Sequence, residues 1–132
     1  MKLYDYLPSG NGYKVRLLLA QVLQWLFFEQ YSHEPYIAVV RHWVHTGVAD
    51  ARPDLAERRQ RGVAALAVME RHLASRSFFI GERYTIADIA LYAYTHVAPE
   101  GGFELAPYPA LRAWLERVRV QPGHVPITWR PA

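Results

Sequence analysis

Thr85-Ile86-Ala87-Asp88, flanked by Tyr84 and Ile89, marks a helix start that can be read residue by residue. A threonine just ahead of the first turn accepts a hydrogen bond from an otherwise unpaired N–H, here that of Asp88. An acidic side chain three places on reaches back to the threonine's own N–H, with Asp88 standing where Glu is commoner. Tyr84 and Ile89 occupy the two positions that clip across such a start. Behind the cap, Ile86, Ile89, Ala90, Ala93 and Val97 are expected to form the buried face, and Ala87, Ala90 and Ala93 keep the helix slim. Loss of either Thr85 or Asp88 is expected to cost about 1 kcal/mol.

Helical signals continue on both sides. Pro53 and Asp54 open a helix whose buried stripe is Gly62, Leu66, Met69 and Leu73. Two acid-before-base pairs, Asp54 with Arg58 and Glu57 with Arg61, support its outer face. Gly62 lets another element approach closely. Residues 107–109 start a last helix with Leu111, Trp114, Leu115 and Val118 inward, and Pro122-Gly123 stops it. Upstream, residues 2–6 read as a short strand and residues 8–12 as a turn-rich loop. A helix follows from near Gly12, with Val15, Leu18, Leu19, Val22 and Leu26 on its buried face; being apolar on most sides, it is expected at the centre of the fold. Pro35 cannot donate to the carbonyl of Tyr31, so a kink is expected over residues 32–35, with the helix resuming through Ile37, Val40 and Val44 and stopping at Gly47. The tail around Ile127-Thr128-Trp129 has no assignable period. The sum is an all-α fold after one N-terminal strand.

Composition narrows the function. The 132 residues are 52% hydrophobic and 20% charged, which excludes disorder as the main state. No cysteine is present, which removes disulfides, thiolate metal sites and cysteine nucleophiles. The excess of 15 basic over 12 acidic residues is small, and the densest basic run, Arg58, Arg59 and Arg61, has acids beside it. Together with Arg52 it reads as a solvated helix face, and no nucleic-acid partner is expected. The run from Leu17 to Phe28, interrupted by Gln21 and Gln24, is too short to span a bilayer, so no membrane partner is expected either. The first six residues hold no apolar stretch of signal-peptide length, and a cytoplasmic protein is expected. His42 and His45, three apart, make at most an incomplete metal site; His33-Glu34 lacks the second histidine of a zinc helix, and no metal is expected.

Three stretches resemble the glutathione S-transferase family. Phe79-Ile80-Gly81-Glu82 with Thr85-Ile86-Ala87-Asp88 is similar to the capping-box motif of its C-terminal helical domain. Tyr108-Pro109-Ala110-Leu111-Arg112-Ala113-Trp114-Leu115-Glu116-Arg117-Val118 resembles that domain's last core helix. Trp25-Leu26-Phe27-Phe28-Glu29-Gln30-Tyr31 with His33-Glu34-Pro35 resembles its first long helix. Residues 1–20 resemble another part of the family, the opening strand, loop and helix of its thioredoxin-like domain, through Lys2-Leu3-Tyr4-Asp5-Tyr6 and Ser9-Gly10-Asn11-Gly12-Tyr13-Lys14-Val15-Arg16. The further strands, the cis-proline and the Glu-Ser or Asp-Ser turn that the family uses to grip glutathione are not found: Ala20 runs straight into Gln21. The resemblance therefore divides the chain into residues 1–20, a truncated thioredoxin-like remnant, and residues 21–132, a glutathione S-transferase C-terminal-like helical bundle.

The resemblance also implies chemistry. Ser9 is the hydroxyl that activates the glutathione thiol, with Asn11 beside it, and Gly10 and Gly12 let the loop and helix start approach the anion. The plain alternative is that Ser9 and Asn11 simply cap the next helix. Gln30, Tyr31, His33 and Glu34 fall where the family faces its electrophile; the alternative is ordinary packing at a proline bend. The expected function is conjugation of glutathione, as co-substrate and not as a tightly bound cofactor, to a small electrophile; the expected partner is a small-molecule electrophile or an apolar ligand. Activity is expected to be impaired by the absent glutathione cradle. The family forms dimers, and a homo-oligomer is expected. A non-catalytic helical binding module is the second reading, since apolar residues lacking their cover recruit partners.

Overall fold

A computed structural model describes residues 7–131. The strand expected over residues 2–6 lies outside the described residues. Among those described there is no strand, only a single antiparallel bridge between Ile80 and Arg83. Five α-helices carry the fold: α1 Gly10–Phe28, α2 Glu34–His45, α3 Leu55–Leu73, α4 Ile86–Thr95 and α5 Pro109–Arg119. The fold is all-α.

The break between α1 and α2 has the expected cause and an informative form. Pro35 has no N–H to return to Tyr31, and the chain widens by one residue: the N–H of Glu34 reaches back to the carbonyl of Glu29. Residues Glu29–His33 form this single π-turn, and Pro35 then sits in the first turn of α2, where its missing N–H costs nothing. Gly47, at φ +71°, ends α2 as expected.

The core forms where α2, α3, α4 and α5 meet. Gly62, Leu66, Met69 and Leu73 of α3 face inward, as do Leu111, Trp114 and Val118 of α5, all as the sequence predicted. An ideal Cβ on Gly62 would lie 2.4 Å from Cε1 of Phe103, so the close approach expected there is real. The start of α5 is capped from a distance. The Glu70 carboxylate accepts from the N–H groups of Ala110 and Leu111, at 3.1 and 2.8 Å.

Two predicted faces are only partly right, with Val97 and Val22 buried as expected. In α4 the buried residues are Ala87, Asp88, Leu91 and Thr95, whereas Ile86 and Ile89 are more than half exposed. In α1 only Val22 and Trp25 are buried; Val15, Leu18 and Leu19 are exposed. Trp25 anchors the C-terminal part of α1 against Phe79, ring centroids 4.5 Å apart, and Phe79 continues edge-on to Trp114 at 5.1 Å. The N-terminal part of the helix carries no buried residue. Far from being central, α1 is attached by one end.

Arg52, Arg59 and Arg61 are exposed, as expected of a solvated face, and only Arg58 is partly buried, but three of these side chains also make contacts to α2. Arg52 and Arg58 each lie 5.0 Å from the centroid of Trp43 on α2, and Arg58 donates to the Pro35 carbonyl at 2.8 Å. Arg61 donates to the Tyr36 hydroxyl at 3.0 Å. These long side chains tie α3 to α2 while their pairs with Asp54 and Glu57 form as predicted.

Candidate functional site

Ser9 precedes the first turn of α1 in extended conformation, and its Oγ accepts from the N–H of Gly12 at 3.3 Å. The plain capping role is therefore formed. Asn11 and Gly10 are exposed at the same helix start, and an added Cβ on Gly10 would meet nothing within 4 Å. No acidic residue occurs from residue 7 to residue 28.

The other candidates sit at the far end of the same helix. α1 runs unbroken across Ala20 and Gln21 for 19 residues. At 1.5 Å per residue this places Ser9 about 30 Å from Gln30. The two groups of candidate residues are not brought together.

Nor do residues 30–34 form one pocket. Tyr31 is 70% exposed, stacked on Phe27 at 6.2 Å, and lines a groove with Phe28, Tyr36 and Arg61. Glu34 lines a different groove with Arg41, His42 and Tyr94. Gln30 is exposed, and His33 enters neither groove. Partial burial, with the Glu34 charge nearby, raises the Glu29 carboxyl above its usual range.

His33 is fully buried, and its hydrogen bonding fixes its tautomer. The Thr95 hydroxyl has one hydrogen to donate, and its Oγ1 lies 2.6 Å from the Leu91 carbonyl oxygen, which can only accept. The contact of 2.8 Å between His33 Nε2 and Thr95 Oγ1 is therefore donated by the imidazole. Nδ1 is left as a buried acceptor with no partner. Burial drives the pKa down to about 4. The ring locks the π-turn to α4 and does so in its neutral form.

Asp88 is also fully buried, and it does more than the capping box requires. Both halves of the box are formed: Thr85 caps the first turn, accepting also from Ala87 N at 3.3 Å, and Asp88 Oδ2 accepts from Thr85 N at 2.9 Å. The other oxygen accepts from Phe79 N at 3.0 Å and from Trp114 Nε1 at 2.9 Å. One carboxylate thus joins α4, α5 and the preceding loop.

Three residues escaped the sequence reading. Tyr92, His96 and His124 form an aromatic group beside an apolar groove between α4 and the chain after α5. The Tyr92–His96 spacing of four on one helix was a usable signal. His124 follows the end of α5, and no periodicity places it. His42 and His45 are exposed on α2, and among the described residues no three His, Asp or Glu side chains converge as a metal site would require. No described helix is long and apolar enough to cross a membrane.

Residues 52–117 match the family described as the glutathione S-transferase C-terminal domain. The chain is 33% identical over 105 residues to the disulfide-bond oxidoreductase YfcG of Escherichia coli K12, a match covering 79% of this chain and 48% of that protein. A glutathione S-transferase structure from Pseudomonas fluorescens superposes with a TM-score of 0.80 at 54% identity, covering 84% of this chain and 56% of that one. A possible glutathione S-transferase from Rhodopseudomonas palustris gives 0.84 at 44% identity, covering 88% and 54%. The chain thus spans about half the length of each of these three proteins. The matched segment contains α3, α4 and α5, the Thr85–Asp88 box and the Asp88–Trp114 bond, and with them the chain belongs to the glutathione S-transferase family.

Proposed function

We propose that this chain carries the electrophile-side helical domain of a glutathione conjugation system, that it self-associates through α1, and that alone it conjugates glutathione to small electrophiles poorly. Ser9 and the start of α1 are the residues that would favour a thiolate, and residues 30–34 would meet the electrophile. The observation that carries the impairment is the unbroken helix between them. Within one chain, a thiolate at Ser9 and an electrophile near Tyr31, about 30 Å apart, cannot react, because conjugation needs its reacting atoms in contact. Glutathione also needs partners for two carboxylates and an amine. Between residues 7 and 28 the sequence supplies no Asp or Glu for that amine. With no cysteine in the chain, any thiol chemistry runs on glutathione's own sulfur.

The test is turnover of glutathione with chlorodinitrobenzene, followed by absorbance. Turnover indistinguishable from the uncatalysed background is expected. Residual activity, where present, should vanish in Ser9→Ala without loss of helical circular dichroism. Robust turnover that survives Ser9→Ala would overturn both the impairment and the placement of the site.

A further inference from the structure

The groove between α4 and the segment after α5 contains none of the candidate residues 9–12 or 30–34. Its volume is about 330 Å³, within the range of small-molecule sites. Ile89, Ala93, Val118 and Ile127 give it apolar walls. One wall is aromatic and polar. The rings of Tyr92 and His96 stack at 4.5 Å, within 5° of parallel, and His124 stands edge-on to Tyr92 at 5.4 Å. The chain reaches this position through Gly123, whose φ of +81° suits glycine and turns the following residues back over the groove.

The hydrogen bonds fix what this wall offers. His96 Nδ1 lies 2.8 Å from the Tyr92 carbonyl oxygen, which only accepts, so Nδ1 carries the hydrogen. In the neutral ring Nε2 is then an acceptor, and no described residue donates to it. The Tyr92 hydroxyl and His124 Nε2 pair with each other at 3.2 Å and hold the segment in place. Arg119, whose charge reaches Tyr92, is tied to Glu116 at 2.8 Å. The groove therefore combines apolar walls and aromatic faces with a lining histidine whose Nε2 is left as an acceptor, without a cation set aside for a carboxylate.

We propose that this groove binds a small neutral aromatic molecule bearing a hydroxyl, a phenol or naphthol in class, with its ring between the apolar walls and its hydroxyl donating to His96 Nε2. A flat ring suits the stacked and edge-on faces. The hydroxyl supplies the donor that His96 lacks. The inference stands apart from the conjugation proposed above, since it uses neither end of α1.

Titration of the full chain with naphthol, read by NMR, tests it. The ring resonances of His96 and His124 and the Ala93 methyl should shift together and saturate. Naphthalene, which has no donor, should bind about tenfold more weakly. His96→Phe keeps the stack but removes the acceptor, and should reduce naphthol to the affinity of naphthalene. Ala93→Trp, at an exposed position, should fill the groove and abolish both. Absence of saturable binding, shifts confined to the exposed leucines of α1, or naphthol affinity unchanged in both variants would overturn the proposal.

Discussion

Two buried polar side chains, Asp88 and His33, hold the α4 region, and they respond to substitution differently. Thr85→Ala removes one cap acceptor and should cost about 1 kcal/mol. Asp88→Ala leaves the donors of Thr85, Phe79 and Trp114 without their acceptor. At roughly 1–3 kcal/mol for each unsatisfied buried group, it should cost at least about 3 kcal/mol. The equal losses expected from the capping box alone are thus corrected. Urea melts of the two variants check the inequality, and equal midpoints would refute the bridging role of Asp88. His33 adds a pH dependence. Its folded pKa of about 4 lies below the ordinary 6.5, so below pH 6.5 the unfolded chain takes up a proton that the folded chain refuses. Stability from this group is intact above pH 6.5, falls as pH drops towards 4, and is flat below. The full loss is about 3 kcal/mol. His33→Gln should flatten the difference in urea stability between pH 6.5 and 4.5, and parallel pH profiles for both proteins would refute it.

The helices differ in how far their sequences disclosed their surroundings. α3 and α5 were legible because their buried faces are almost wholly apolar, so period and burial coincide. In α4 they part. Ile86 and Ile89 looked inward by hydrophobicity, but Asp88 and Thr95 hold the inside because each has a specific buried partner, Trp114 and His33. A periodicity that counts only apolar residues sets such a helix out of phase. In α1 the expected face holds at Val22 and in part at Leu26, Trp25 is buried although it lies off that face, and Val15, Leu18 and Leu19 are exposed. Periodicity identifies a face that can be covered, not whether anything covers it. The candidate site was legible only as separate pieces: Ser9 as a cap and Pro35 as a bend are local facts, while the length of helix between them needs α1 to be continuous. Gly62 supplies a test at this scale. Alanine there improves intrinsic helix propensity by about 1 kcal/mol, but its Cβ would overlap Phe103. Gly62→Ala should therefore destabilise by about 1–3 kcal/mol. Adding Phe103→Leu should recover part of that loss in a double-mutant cycle, and additive losses would show that the contact is not the cause.

At the scale of the molecule, the bundle is closed at its core and open along α1. Val15, Leu19, Leu23, Phe27 and Tyr31 follow one another four residues apart, and the last three are 50%, 59% and 70% exposed. Such a row is the ridge that packs into the grooves of a like helix, and at 1.5 Å per residue it is about 24 Å long. It is also graded, with its smallest residue at one end and its largest at the other. A second copy related by a two-fold axis would run antiparallel, placing Leu23 near the axis, Leu19 against Phe27 and Val15 against Tyr31, so that the small end of each ridge meets the large end of the other. Among the described residues no other element buries this row, and leaving such a stripe in water is costly. The mass measured by light scattering should therefore rise from monomer towards dimer with concentration. Leu23→Glu would set two carboxylates face to face at the axis and should hold the chain monomeric. Because Leu23 is half exposed, the variant should keep its helical circular dichroism and its urea midpoint within about 0.5 kcal/mol. A wild-type chain that stays monomeric at high concentration would refute self-association. A dimer that survives Leu23→Glu would place the interface elsewhere, with the exposed Ile86 and Ile89 of α4 the next residues to change.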